Sequence, residues 1–569
     1  MLLPRLILLP VLSAAAISKS NAKLPDLDPT TDLNALPNNA LFTRWRPRFH
    51  FLAPSGWLND PCGAMYDPVR DTYHLFYQYH ANHVDWGNMS WGHATSRDLV
   101  TWKDVRGWHD AEPEALGTGP NGTYDHLGIF SGTAQPVGLD GKRDGNLTVF
   151  YTSVQHLPTG WNRPYIPGTE SQSLATSSDG GLTWQKYKGN PVLVTPPAGW
   201  NITGWRDPFF QPWPEMDAIL KQKSPHYYVI FGSGIKGVGP RIPLYSAPAS
   251  DLTKWTFLGA LLEVGQNTSF GDAAQTGSYG FNFEVSGAFS LTESAEHGGD
   301  GRTVHHFITT GSEGGDTPFH PNAHWALWAE GNMRRRTNGS AQFDIVSSGV
   351  VDWGNLYAVT SFWDAKNNRR VSWGWSPEDM NNYGIKAEGF QGSMGLPHSQ
   401  GKKIQGDHFE LKARLANVTG SAGFVVRASP GLKESTVVAY SPTTETITVN
   451  RDNSSLIKPF ANYPVNGHFA AYNISGSGPE PFDIHVFVDG SLVEVFVNDR
   501  FALTTRIYPS SGDALDIWAY VEGGSASFKG VQVWTDMANV WPERPANSSS
   551  VLVTDSPEDT GNGTWWSGN

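Results

Sequence analysis

The sequence predicts an all-β protein, a propeller followed by a β-sandwich, on three observations. Short strand-like runs alternate with Gly, Pro, Asp and Asn turns, and helical periodicity is scarce along the whole chain. One motif also recurs at roughly 70–80 residues: SRDLVTW ending at Trp102, SDGGLTW ending at Trp184 and SDLTKW ending at Trp255. Recurrence at that spacing marks one supersecondary unit per repeat, as in propeller blades. Blades of that length need long loops, which would crowd one end of the central channel, where a site would form.

The strands expected in the propeller include TYHLFYQY (72–79), LTVFYTSV (147–154), HYYVIFGSG (226–234) and TVHHFITTG (303–311), each apolar or alternating and bounded by turn residues. The pattern thins at KAEGFQGSMGLPHSQGKKIQ, so residues 23–385 are assigned to the propeller and 386–408 to a connector. From 409 to 540 the alternation in FELKARLANV, AGFVVRAS and FDIHVFVDGSLVEVFVNDRFALTTRIYP, with Asp489-Gly490 as a hairpin turn, predicts the sandwich. Residues 541–569, rich in Ser, Asn and Gly, are expected to form a flexible tail.

Residues 1–22 carry Arg5, an apolar run too short to cross a bilayer comfortably, and small residues suited to cleavage near Ala16 or Ala22. A signal peptide is therefore expected, and with it a secreted protein, extracellular or associated with the cell wall. Eleven N-x-S/T sequons, among them Asn146, Asn201, Asn338, Asn417 and Asn473, fit attached N-glycans. Asn88 is also a sequon, but its surroundings predict a buried, unmodified side chain. Cys62 is the single cysteine, so no internal disulfide forms, and packing rather than reactivity is its expected role. The formal net charge of −13 argues against nucleic acid and anionic membranes as partners, whereas a neutral small molecule is compatible with it.

Three carboxylates stand out. WLNDPCG (57–63) and WRDPF (205–209) each place an aspartate beside aromatics and directly before proline. Because proline bars the preceding residue from the right-handed helical region, Asp60 and Asp207 are expected in extended backbone, their side chains projecting in set directions. Glu284 sits in the apolar, β-prone run FNFEVSG (281–287), where burial should raise its pKa, as a general acid requires. Cleavage of a glycosidic bond needs such a pair of carboxyl groups flanking the bond, with aromatic surfaces to hold the sugar.

WLNDPCG, YHLFYQY, WGNMSWGHATSRDLVTW, FSG (130–132), WRDPF and NFE, with DWGNLYA, RRVSWGW and VDGSLVEVFVNDRFALTTRIYP further on, occur in the order found in glycoside hydrolase family 32. The resemblance to these β-fructofuranosidases runs from about Arg44 to Trp534. It implies a five-bladed propeller, a retaining mechanism without metal or other cofactor, and sucrose and fructo-oligosaccharides as partners. In these roles Asp60 would be the nucleophile, Glu284 the acid/base and Asp207 the transition-state stabiliser. Asn59, Gln78, Trp86, Phe130, Ser131 and Arg206 match positions that line the fructose pocket. Glu313, His324 and Tyr357 resemble residues near the leaving sugar or acceptor in some fungal fructosyltransferases. Cys62 stands where asparagine is common and Val285 where cysteine often follows the acid/base. The first change resembles a fungal branch that transfers fructose to a second sucrose, which implies transfructosylation to short fructo-oligosaccharides. A homodimer through the sandwich is compatible with the resemblance.

Three other readings are weaker. An exo-inulinase or levanase acting on longer fructans would share every motif. A sialidase-like propeller fits SSDGGLTW (177–184) as an Asp box and PRIP (240–243), but the arginine triad and tyrosine nucleophile it needs cannot be placed. A sugar-binding protein without turnover would have lost a carboxylate, and all three are present.

Overall fold

The computed structural model describes residues 7–10 and 24–552, apart from 294–298, 316–323, 397–405, 458–459, 461–462, 476–477 and 536. Five largely antiparallel sheets follow one another along the chain as the blades of a propeller, the sequential strands of each beginning with its innermost one. These strands are Gly56–Asp67, Gly128–Gln135, Ile202–Pro212, Asn282–Thr292 and Tyr357–Asp364 for blades 1 to 5. Most of their residues are buried, as expected of strands packed on both faces. Helix is confined, among the described residues, to short pieces such as Pro214–Leu220 and Asn382–Glu388, and none is long and apolar enough to cross a membrane.

The repeated motif is the turn that leads into the outermost strand of blades 1, 2 and 3. Asp98, Asp179 and Asp251 each cap their turn by accepting backbone N–H groups, from Thr101, Thr183 and Thr253 respectively. Trp184 and Trp255 tie back to the turn by donating to the Gly181 and Leu252 carbonyls. The Asp-box likeness is thus a structural device, the local hydrogen bonding that Asp and Ser favour in turns.

The sandwich packs a sheet containing His408–Ala416, Phe482–Asp489, Leu492–Val497, Phe501–Arg506 and Ser527–Trp534 against a second containing Ser421–Ala428, Ser435–Ser441, Thr446–Asn453, Val465–His468 and Asp516–Glu522. Gly490 turns the predicted hairpin with φ 63°, a conformation that glycine adopts without strain. From the leader only Ile7–Pro10 is described, paired antiparallel with Asp516–Glu522; the remainder of residues 1–22 lies outside the described residues.

Two boundaries differ from expectation. The connector was placed at 386–408, yet Phe390–Gln391 pair in parallel with Gly56–Trp57 of blade 1, and Ser393–Met394 add the third strand to blade 5. Phe390 and Met394 are buried, so this polar, Gly-rich stretch closes the ring instead of leaving it. The first part of the predicted tail is likewise packed. Trp541 is 4% exposed beside Phe51, Arg544 spans Asp104 and the Leu52 carbonyl, and Ser548 donates to the Pro54 carbonyl. Composition alone missed two anchors, the aromatic ring and the guanidinium, that offset the ordering entropy. Residues 553–569 lie outside the described residues.

Propeller and sandwich share a buried polar seam. Asp489 accepts the backbone N–H groups of Arg48, Phe49 and His50 and bonds the His50 ring at 2.7 Å, while Glu494 takes the other ring nitrogen at 2.9 Å. Burial alone would lower the His50 pKa, but Glu494 and Asp489 override it and raise it to about 9. His408 and Asp407 face Asp489 from the sandwich side, and the His408 pKa is raised too. A histidine with a raised folded-state pKa contributes stability that is complete below its unfolded value and lost as pH rises through the folded one. The thermal midpoint should therefore fall between about pH 6.5 and 9, by a free energy on the order of 3 kcal/mol for His50. His50→Gln should be less stable at pH 6 and show a shallower decline across that window, the part due to His408 remaining. Melting curves at several pH values check both.

Candidate active site

Each innermost strand breaks its register where it carries a candidate site residue. The shifts fall at Leu58/Pro61, Phe130/Gly132, Arg206/Phe209, Glu284/Gly287 and Tyr357/Thr360. A β-bulge turns a side chain away from the pleat's alternation, and five in a ring aim Asp60, Ser131, Asp207, Glu284 and Tyr357 into the channel. Asp207, Val285 and Ala358 adopt positive φ values of 63°, 41° and 53° at these bulges.

The expectation of extended backbone therefore fails at Asp207. Proline excludes the right-handed helical region from its predecessor but leaves the left-handed one open, and a short carboxylate residue tolerates that region. Two hydrogen bonds hold it there: the Asp207 N–H donates to Thr152 Oγ1 at 3.0 Å, and Oδ2 accepts the Val285 N–H at 3.0 Å. Val285 is β-branched, for which positive φ is a true outlier, so the bulge is held by its surroundings and not by local preference.

The carboxylates have different company. Asp60 is held by neutral donors, Ser131 Oγ at 2.6 Å and Asn59 Nδ2 at 3.0 Å. Burial pushes its pKa up to about 6 against the Ser131 hydrogen bond, and the charge of Glu284 adds to the rise. Asp207 is 6% exposed and raised well above the ordinary range, by burial first and the neighbouring Asp60 second. Glu284 instead takes the cation: Arg206 Nε and Nη2 donate to Oε1 at 3.0 and 2.7 Å, and the Tyr357 hydroxyl donates to Oε2 at 3.0 Å. Burial acts upward on Glu284 as expected from sequence, but Arg206, His324 and Tyr357 outweigh it and hold the pKa below the usual glutamate value. Burial and Glu284 raise Glu313 to about 8, although Arg206 Nη2 lies 3.3 Å away and Asn282 Nδ2 donates at 3.0 Å.

Of the other candidates, Asn59 accepts the Trp57 indole N–H at 2.6 Å, and Gln78 donates to the Ile129 carbonyl at 2.9 Å. Trp86 meets Phe130 edge to face at 5.5 Å, and His324 lies 4.8 Å from the Tyr357 ring. Cys62 is fully buried with its thiol pKa pushed up by burial and by Asp60, an inert packing group as expected. Asn88 departs from expectation: it is half-buried on the wall of a cleft of about 1110 Å³ between blades 1 and 2, along with His80, Asn82, His126 and Gln155. None of the three carboxylates lines this cleft.

The chain matches the glycosyl hydrolases family 32 N-terminal domain over residues 50–407 and the family 32 C-terminal domain over 385–535. It belongs to glycoside hydrolase family 32. Sucrose-6-phosphate hydrolase of Escherichia coli is 28% identical over 86% of this chain and 94% of its own length. The extracellular exo-inulinase inuE of Aspergillus ficuum is 26% identical over 84% and 92%. Among solved structures, the Aspergillus kawachii β-fructofuranosidase complexed with glycerol superposes with a TM-score of 0.80 at 26% identity, covering 93% of this chain and all of its own. The fructosyltransferase of A. japonicus gives 0.79 at 25%, covering 91% of this chain and all of its own. The protein is thus a glycosidase with the propeller and sandwich of its family.

Three residues of this glycoside hydrolase escaped sequence reasoning. Glu170, fully buried, takes Arg206 Nη1 at 2.8 Å and the Trp205 N–H at 2.7 Å. Gln172 donates to the Trp205 carbonyl at 2.8 Å and accepts from Thr152 at 2.9 Å. Asn282 supports Glu313 and is itself held by Thr203 at 2.6 Å. TESQS (169–173) reads as a polar turn, and the one usable signal is its position just before LATS, inside a strand buried along almost its whole length.

Proposed function

We propose that the protein is a secreted, retaining β-fructofuranosidase that cleaves sucrose and related β-fructosides through a covalent fructosyl-enzyme, and that it transfers part of the fructose to a second sucrose. The observation that carries this reading is the convergence of three carboxylates on one channel. Register breaks in the innermost strands of blades 1, 3 and 4 turn Asp60, Asp207 and Glu284 inward, Ser131 and Asn59 orienting Asp60 while Arg206 and Tyr357 orient Glu284.

In the first step Asp60 attacks C2 of the fructosyl unit while Glu284 protonates the departing oxygen. Charge building on that oxygen draws the proton of Glu284 toward it. Esterification then neutralises Asp60 and removes its repulsion from Glu284, so Arg206 now favours the ionised form, the base that activates an acceptor. Asp207, fixed by Thr152 and Val285, receives the ring hydroxyls and favours the positive charge of the transition state. Asp207→Asn should lower kcat roughly 100- to 1000-fold with little change in KM, measured by initial rates of glucose release from sucrose.

Water or sugar collects the fructose according to acceptor binding, a difference of about 1–2 kcal/mol. Glu313 and His324 beside Glu284 support a held acceptor. The test is incubation with concentrated sucrose, with glucose and fructose measured over time and oligosaccharides resolved by chromatography. Glucose in excess of fructose, with a trisaccharide, supports transfer; equal release means hydrolysis alone; no release of either overturns the reading. A longer fructan as substrate is the second reading, in keeping with the polar cleft of about 1110 Å³ between blades 1 and 2. Exposed Asn201, Asn338, Asn417 and Asn473 are available to carry glycans on a secreted chain.

A further inference from the structure

The Trp205–Asp207 segment is not self-supporting. Its bulge removes it from the regular ladder; Trp205 and Arg206 are held directly from the neighbouring strand Glu170–Ser177, the third of blade 2, and Asp207 is held through Thr152 of the strand Leu147–Val154. Glu170 and Gln172 lie two apart on that strand and so share a face. Gln172 holds the Trp205 carbonyl at 2.8 Å and, through Thr152, the Asp207 N–H at 3.0 Å. Glu170 spends one oxygen on the Trp205 N–H at 2.7 Å and the other on Arg206 Nη1 at 2.8 Å. The remaining guanidinium nitrogens reach Glu284 at 3.0 and 2.7 Å and Glu313 at 3.3 Å. One cation thus serves three carboxylates, and the share taken by Glu170 is withheld from the other two.

We propose that Glu170 is a positioning residue of the reaction: by anchoring the Trp205 amide and drawing off one edge of Arg206, it sets how strongly that cation grips Glu284. The proposal rests on Glu284 being the acid/base. It assigns Glu170 no contact with substrate. Glu284 is faced by Asp60 from blade 1, Arg206 and Asp207 from blade 3, Glu313 and His324 from blade 4 and Tyr357 from blade 5. Arg206 is faced in addition by Glu170 and Tyr165 from blade 2. With Glu170 neutralised, a larger part of the cation's field falls on Glu284, its ionised form is favoured further, and the acid proton is lost at lower pH.

The test is the pH profile of kcat/KM for sucrose in Glu170→Gln. This change keeps the volume and an oxygen for the Trp205 N–H while removing the charge. Because Glu284 is held below the usual glutamate value and Asp60 is raised to about 6, the Glu284 titration sets the acidic limb, which should move down by about one pH unit as the plateau falls roughly tenfold, with the alkaline limb, set by Asp60, little changed. Gln172→Leu strips the adjacent clamp without altering any charge, and should lower kcat at every pH while leaving both limbs in place. A Glu170→Gln profile that superimposes on the wild type after scaling would overturn the inference, because a merely structural role lowers activity without moving a limb. If that variant folds poorly, Glu170→Asp, whose charge is retracted by one methylene, should shift the acidic limb in the same direction by less. A wild-type limb there also rejects the inference. Wild-type protein inactive on sucrose, and on inulin and levan, would instead reject the underlying functional reading.

Discussion

Asp60→Asn should abolish sucrose cleavage while the fold survives. The amide is nearly isosteric and still offers an oxygen to Ser131, whose hydroxyl lies 2.6 Å from the carboxylate. Stability should not suffer, because the native carboxylate carries a burial cost, reflected in a pKa raised to about 6, that the amide does not. Reactivity is another matter: an amide oxygen is too weak a nucleophile to open C2. Rates should fall by roughly ten-thousandfold or more. Glucose release checks the activity, and an unchanged melting midpoint at pH 7 checks the fold. A fully active Asp60→Asn would remove the nucleophile from the mechanism.

Glu284→Gln should be nearly as severe on sucrose, roughly a thousandfold or more, but its failure should have a different signature. The first step needs the proton only because the sugar leaving group is poor. With a fructoside whose leaving group departs without protonation, formation of the fructosyl-enzyme should recover, while its turnover stays slow for want of a base. A burst of leaving group followed by a slow steady rate is the expected trace. Equal impairment on both substrates would contradict the acid/base role. Arg206 retains Glu170 and Glu313 in this variant, so the guanidinium is not left unpaired.

The two variants draw on different parts of what was legible in the sequence. The motifs named all three carboxylates, because each sits in a short aromatic or proline-bearing stretch, and strands such as Leu147–Val154 matched their expected bounds. The bulges were not legible. Strand pairing register depends on residues far apart in the chain, so nothing within WRDP reveals that Asp207 turns left-handed to meet Thr152 and Val285. The electrostatics of Glu284 were missed for the same reason: burial could be read from FNFEVSG, but the guanidinium that outweighs it arrives from 78 residues away. Glu170 had no signal of its own, since a glutamate in TESQS resembles any exposed turn residue until the blade is assembled. The segments at 390–394 and 541–550 show the converse limit: polar, Gly- and Ser-rich composition hid a few large anchors that fix the chain.

The central claim is that Asp60 forms a covalent bond to fructose. Quenching a reaction with concentrated sucrose in acid, digesting the protein and weighing the peptide that contains WLNDPCG tests it directly. The account predicts that this peptide gains the mass of one fructosyl unit, localised to Asp60, and that the adduct persists in Glu284→Gln with an activated fructoside. An adduct on a different residue, or steady turnover with no adduct on any peptide, would contradict it.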